Sequence, residues 1–249
     1  MKYQLTEIEN VKKASHRLKE TVRKTPFQYN ERLSQLTKTK LWLKREDLQE
    51  VRSFKIRGAY NKISSLNNNE RNKGVVCSSA GNHAQGVAKS CNLLKIEGVI
   101  FMPTITPRQK IEQVNMFGGK YVKVILDGDT YDDAYEAAKK YCNKNNKTFI
   151  HPFDDESVIE GQATLALEIL EQANEKIDAI IVPVGGGGLI SGVLSVFKQL
   201  SPETKIIGVE PEGAPSMSKS LTNNTVTSLD KIDPFVDGAS VKRVGEISY

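Results

Sequence analysis

Along this chain, short apolar runs alternate with longer stretches in which apolar residues recur every three or four positions. The runs LWLK (41–44), GVVC (74–77), EGVIFM (97–102), YVKVIL (121–126), DAIIVPV (178–184) and KIIGVE (205–210) have the length and β-branched content of strands. Between them, helical patterns begin near Lys55, Gly81, Pro107, Asp129, Ser157 and Leu189. The first residues, MKYQLTEIENVKKASHRL, have the spacing of an amphipathic helix and lack the apolar centre of a leader peptide. Pro107 marks a helix start, because its missing N–H costs nothing at the first helical position. The NNN run at 67–69 reads as a turn. Strand alternating with helix predicts parallel strands and helical crossovers, hence an α/β fold with ligands at the carboxyl ends of its strands.

Composition narrows the function classes. The 249 residues are 39% hydrophobic and 26% charged, enough for one large domain or two smaller ones. The net charge of +5 is scattered along the chain, so no nucleic-acid footprint is expected. Cys77, Cys91 and Cys142 show no C-x-x-C spacing, which argues against disulfides and zinc and for a reducing, cytoplasmic setting. The uncharged stretch 179–197 approaches membrane-spanning length, but Pro183 and the glycines after it break the run, so no membrane segment is expected.

Three loops after strands carry candidate chemistry. In VPVGGGGLISG (182–192), glycines permit a sharp turn and close ligand approach, and the amides of the next helix start suit a phosphate. Four adjacent glycines exceed what a turn needs. Gly186, Gly188 and Ser191 also approximate G-x-G-x-x-G/A, with Glu210 placed as a ribose-binding acid, so a dinucleotide site is the alternative. In SSAGNHAQG (78–86), Ser78 or Ser79 is placed to cap a helix, the amides near Ala80 and Gly81 to receive a carboxylate, and Asn82 to bond a ligand oxygen. An ordinary capped helix explains that loop equally well. His16, His83 and His151 share no ligand or triad spacing, so no metal is expected.

The third loop, SFKIRGAY (53–60), puts two cations at the positive end of a predicted helix, where acids belong. Lys55 lies beside Phe54 and the stripe Ile56, Ala59, Tyr60 and Ile63, at the edge of a buried surface. Desolvation and the helix field would lower its pKa and free an amine as nucleophile or base. Arg57 has no evident chemical role and is expected in a surface ion pair.

Taken together, a glycine cradle, an anion loop and an activated lysine suit an aldehyde cofactor with a phosphate handle, pyridoxal 5'-phosphate. The segments KREDLQEVRSFKIRGAYN, SSAGNHAQGVA, TPRQKIEQVNMFGG and VPVGGGGLISG closely resemble the tryptophan-synthase-β-like, fold type II, pyridoxal-phosphate enzymes. The resemblance runs from about the first helix to the last residue and is strongest to the members that dehydrate and deaminate threonine in isoleucine biosynthesis. It implies two open parallel-sheet α/β domains with the cofactor between them: a small domain at 47–153, and a large, incomplete one formed by 1–46 plus 154–249, with no regulatory domain.

The same resemblance implies that Lys55 is the catalytic, Schiff-base lysine, that Phe54 lies against the cofactor ring, and that Asn82 bonds the ring hydroxyl. Gly185, Gly186, Gly187, Gly188 and Leu189 would hold the phosphate. Ser78, Ser79, Ala80, Gly81, Asn82 and His83 would receive the substrate carboxylate. The implied reaction turns L-threonine into 2-oxobutanoate and ammonia, with L-serine dehydratase or serine racemase as variants within the family. The implied partner is a small amino acid, and the complete protein would be a homo-oligomer. Family catalytic domains continue beyond the ending DGASVKRVGEISY, so a fragment or truncated product is expected. It would lack the residue that reaches the pyridine nitrogen. Poor stability and little activity are the resulting expectations, an inactive remnant being the limiting case.

Overall fold

The structure, a computed structural model, describes residues 5–249. Helix α1 (Ile8–Leu18) buries Val11, Ala14 and Leu18, the apolar stripe of the amphipathic pattern. Next come β1 (Phe27–Tyr29), α2 (Glu31–Thr37), β2 (Trp42–Lys44), a single 3-10 turn (Glu46–Leu48), α3 (Lys55–Ser64) and α4 (Asn68–Lys73). Strand and helix then alternate strictly: β3 (Val75–Ser78), α5 (Asn82–Leu94), β4 (Gly98–Met102), α6 (Arg108–Gly118), β5 (Val122–Leu126), α7 (Tyr131–Lys144) and β6 (Thr148–Phe149). Helix α8 (Glu156–Gln172) leads to β7 (Ala179–Pro183), α9 (Gly188–Leu200), β8 (Lys205–Val209) and α10 (Ser216–Asn223).

Four strands form one parallel sheet in the order β5-β4-β3-β6. Helices cover both faces, which is why β3 and β4 are buried along their whole length. Val75, Cys77, Ile100 and Met102 point to the side packed by α3, α5 and α6, while Val76, Val99 and Phe101 pack against Ala138 and Cys142 of α7. Strands β7 and β8 form a separate parallel pair whose inner face meets α9, α8 and α1 through Val182, Val196, Phe197, Ala163 and Val11. Ile181, Ile207 and Val209 of this pair remain exposed.

The fold is therefore α/β with parallel sheets, and every apolar run read as a strand is one. Three local expectations are corrected. LWLK pairs antiparallel with β1, which is too short and too polar in pattern to stand out. The NNN run starts a helix: the Asn67 side chain accepts from the Glu70 amide at 3.0 Å, and the Glu70 carboxylate accepts from the Asn67 amide at 2.9 Å. Pro107 has an extended ψ of 136° and stands just before the first turn of α6 rather than in it. Among the described residues, no helix is long and apolar enough to cross a membrane, and 179–197 divides into β7, a glycine turn and α9.

Two helices set the geometry around Lys55. α3 and α8 cross so closely that a Cβ on Gly161 would lie 2.6 Å from the Gly58 Cα. Only glycine permits that approach of two backbones.

Candidate active site

Lys55 is the first residue of α3, and its amine donates to the Pro152 carbonyl at 2.8 Å. Burial pushes its pKa down to about 8, with no carboxylate to hold the proton on. The Phe54 ring lies 5.6 Å from the amine. His83 of α5 and His151 are near enough for the charge of Lys55 to act on them. Burial, with Lys55 second, pushes His83 down to about 3, and burial above all pushes His151 down to about 4. Both imidazoles are thus neutral at neutral pH. His83 Nε2 donates to the Ile150 carbonyl at 2.9 Å, while His151 Nδ1 accepts from the Asp154 amide at 2.7 Å. The segment leaving β6 is so fixed from both ends, and its Pro152 carbonyl is presented to Lys55.

A narrow cleft of about 60 Å³ is walled by Phe54, Lys55, Pro152, Phe153, Gln162, Pro183, residues 185–189, Gly238 and Ala239. Helix α9 starts there without a side-chain cap, leaving the N–H groups of its first turn and the positive helix end for an anion. An amine and an anion cradle therefore share one cleft.

The glycines themselves have a different cause from the one their number suggests. A Cβ on Gly186 would enter the Phe153 ring, and one on Gly188 would lie 2.8 Å from the Phe153 carbonyl oxygen. Gly187 has φ +97° and faces Ser248, and a Cβ on Gly185 would lie 3.2 Å from the Ala239 Cα. The glycines in excess of a simple turn are required by the protein's own packing.

The loop 78–83 differs. Among the described residues, the cleft walls include none of Ser78, Ser79, Ala80, Gly81, Asn82 or His83. Neither serine caps α5: Gly81 occupies the cap position, Ser79 Oγ accepts only from the Gly81 amide at 3.2 Å, and Ser78 Oγ is buried without a partner. Asn82, the first residue of α5, is exposed. The loop nevertheless stands beside the lysine, because α5 packs on α3 so tightly that a Cβ on Gly86 would lie 3.1 Å from the Lys55 carbonyl carbon.

Arg57 is no surface residue. It is 1% exposed, and its donors reach Glu46 at 2.8 and 2.8 Å, Glu168 at 2.7 and 2.9 Å, and Thr164 at 3.2 Å. Glu46 lies 11 positions before it and Glu168 111 positions after it, so no local pattern announces the pairing. Glu210 is likewise committed, accepting from the Met217 and Ser218 amides at 2.7 Å each and capping α10, which takes the acid away from a dinucleotide site. Sequence reasoning passed over Pro152, Phe153, Gln162, Gly238 and Ala239. The HPFDD segment follows β6, whose two residues are too few to show as a strand in the pattern.

An amine of lowered basicity facing an uncapped helix start defines a class of site: one that takes a carbonyl compound by its carbon and an attached anion by the helix. The sequence profile described as "Pyridoxal-phosphate dependent enzyme" matches residues 18–248, so the chain belongs to the pyridoxal-phosphate dependent enzymes. It is 55% identical over 243 residues to the L-threonine dehydratase biosynthetic IlvA of Halalkalibacterium halodurans, covering 98% of this chain and 59% of that protein. The chain thus spans less than two thirds of the length of that relative. Among solved structures it resembles the processed form of threonine deaminase isoform 2 from Solanum lycopersicum, with TM-score 0.90 and 42% identity over 99% of this chain and 73% of that one. It also resembles maize serine racemase, with TM-score 0.92 and 33% identity over 98% of this chain and 73% of that one. The residues of the cleft fit the family's cofactor: an amine for the aldehyde and amides for the phosphate.

Proposed function

We propose that this chain carries the pyridoxal-phosphate site of a biosynthetic threonine dehydratase, which converts L-threonine to 2-oxobutanoate and ammonia on the route to isoleucine in the cytoplasm. The observation that carries the reading is the Lys55 amine, lowered to about pKa 8 and sharing one cleft with the start of α9. The 55% identity to a relative named for that activity supports it. In this reading Lys55 attaches the cofactor, Phe54 flanks the ring, and Asn82 bonds the ring hydroxyl. Gly185, Gly186, Gly187, Gly188 and Leu189 receive the phosphate, and residues 78–83 the substrate carboxylate. Residues 47–153 act as the smaller domain against the rest.

When bound, pyridoxal phosphate supplies an electron sink for charge at the substrate α-carbon. The chain supplies the proton transfer. Lys55, whose pKa of about 8 leaves about a tenth of it neutral at pH 7, takes the α-proton, and the Pro152 carbonyl orients its amine. His83 and His151 stay neutral, so neither competes with the lysine for charge.

Likeness to a serine racemase favours serine as a second substrate to be tried. The experiment supplies pyridoxal phosphate to the chain and monitors 2-oxobutanoate from threonine alongside pyruvate and D-serine from serine. Threonine turnover exceeding serine turnover is expected, and the reverse preference would overturn the substrate assignment. Borohydride reduction should fix the cofactor on Lys55, and its fixation on another residue would overturn the lysine assignment.

A further inference from the structure

Lys55 and Arg57 are two positions apart on α3, so their side chains leave opposite sides of the helix. One side faces the cleft, and the other holds a closed ionic cluster. All five N–H donors of Arg57 are used, two on Glu46, two on Glu168 and one on Thr164. Glu46 also accepts from Thr25 at 2.5 Å, and Glu168 from Lys44 at 2.6 Å. Two cations and two carboxylates balance, and the paired carboxylates hold the proton on Arg57 more firmly than usual. With every donor of the fork engaged, the cluster has one low-energy arrangement.

The carboxylate partners of Arg57 come from two other elements. Glu46 lies in the 3-10 turn that precedes the loop to Lys55. Glu168 lies on α8, the helix that starts just after Pro152 and supplies Gln162 to the cleft wall. Gln162 also accepts from the Gly58 amide at 3.3 Å. The other end of the same helix pair is tied by Lys62 to Asp155 at 2.7 Å.

We propose that Arg57 is a positioning residue for Lys55: clamped between Glu46 and Glu168, it fixes the rotation of α3 about its axis and thereby aims the Lys55 amine at the Pro152 carbonyl and the cleft. A lysine at 57 has three donors on a single point and cannot bridge two carboxylates in the plane of a fork. This inference rests on the reading of Lys55 as the cofactor lysine, and the test separates the two.

The test is run on the full chain without cofactor. The pH dependence of Lys55 modification by an amine-reactive reagent is read by peptide mass spectrometry, in parallel with pyridoxal-phosphate affinity. The groups facing Lys55 are His83 from α5 and His151 from the segment before α8, both neutral across the working range. Arg57→Lys should move the modification midpoint up by about one unit and weaken cofactor binding about tenfold. Lys62→Met, which loosens the same helix pair without touching Arg57 or its carboxylates, should leave both unchanged even where it lowers Tm as much. Equal shifts in the two variants would mean general loosening and overturn the proposal, as would an unchanged midpoint in a folded Arg57→Lys. Should Arg57→Lys not fold, Glu168→Gln, which keeps shape and drops one charge, is judged by the same two readouts. If Lys55→Ala still fixes the cofactor on reduction, the reading of Lys55 fails instead, whatever Arg57 does.

Discussion

Two strand-to-helix loops meet near Lys55, and they use glycine for opposite reasons. In the loop 185–188, every glycine is pressed by the protein: Phe153 against Gly186 and Gly188, Ser248 against Gly187, and Ala239 against Gly185. In the loop 78–83, a Cβ on Gly81 would meet nothing within 4 Å, and its φ of −127° lies outside the left-handed region that demands glycine. The glycine-rich loop is thus the packed one, and the loop with a single glycine is the open one. Counting glycines measures how tightly a backbone is approached, and the approaching group can be the protein's own ring as readily as a ligand.

That contrast can be broken from either side. The largest effect is expected at the packed loop: Gly188→Ala sets a methyl 2.8 Å from a backbone oxygen that cannot swing away, and should cost about 3 kcal/mol in urea unfolding. A variant as stable as the parent would dissolve the distinction. Next comes acid unfolding through His83 in the open loop. Its folded pKa of about 3 lies below the ordinary value, so as pH falls the unfolded chain binds the proton first, and stability drops from about pH 6.5 downward. Between pH 7 and 5 this amounts to about 2 kcal/mol, and His83→Gln should flatten the slope of stability against pH by that amount.

A double-mutant cycle then sharpens the packed side. Gly186→Ala and Phe153→Ala share one clash, so the double variant should be more stable than the sum of the singles by about 1 kcal/mol. Additive behaviour would show that Phe153 is not what demands Gly186. The smallest stability change belongs to Gly81→Ala, within about 0.5 kcal/mol of the parent, because the methyl enters open space. If the loop receives the substrate carboxylate, as proposed, the same variant should raise KM for threonine about tenfold with Tm unchanged.

Much of the architecture was legible because buried parallel strands are unbroken apolar runs and the crossover helices carry three-and-four spacing. What escaped reading was short or polar. β6 has two residues, α2 leaves Leu36 exposed, and α10 is a serine-rich helix with no apolar stripe beyond a few positions. The lysine and the glycine loop could be placed because each obeys a local rule or breaks one. Arg57 could not, since its partners lie 11 and 111 positions away and only the fold joins them. Phe153 was hidden for the same reason: its role depends on glycines more than thirty positions further along the chain.

The lowered basicity of Lys55 also bears on how this molecule meets reactive small molecules. Cys77, Cys91 and Cys142 are all buried, and burial pushes their thiols up, Cys91 to about 12, so the usual soft nucleophiles are withdrawn. Lys55, near 8, lines the cleft. An aromatic aldehyde probe would therefore find this amine before any of the thiols, through a linkage that water reverses and borohydride makes permanent.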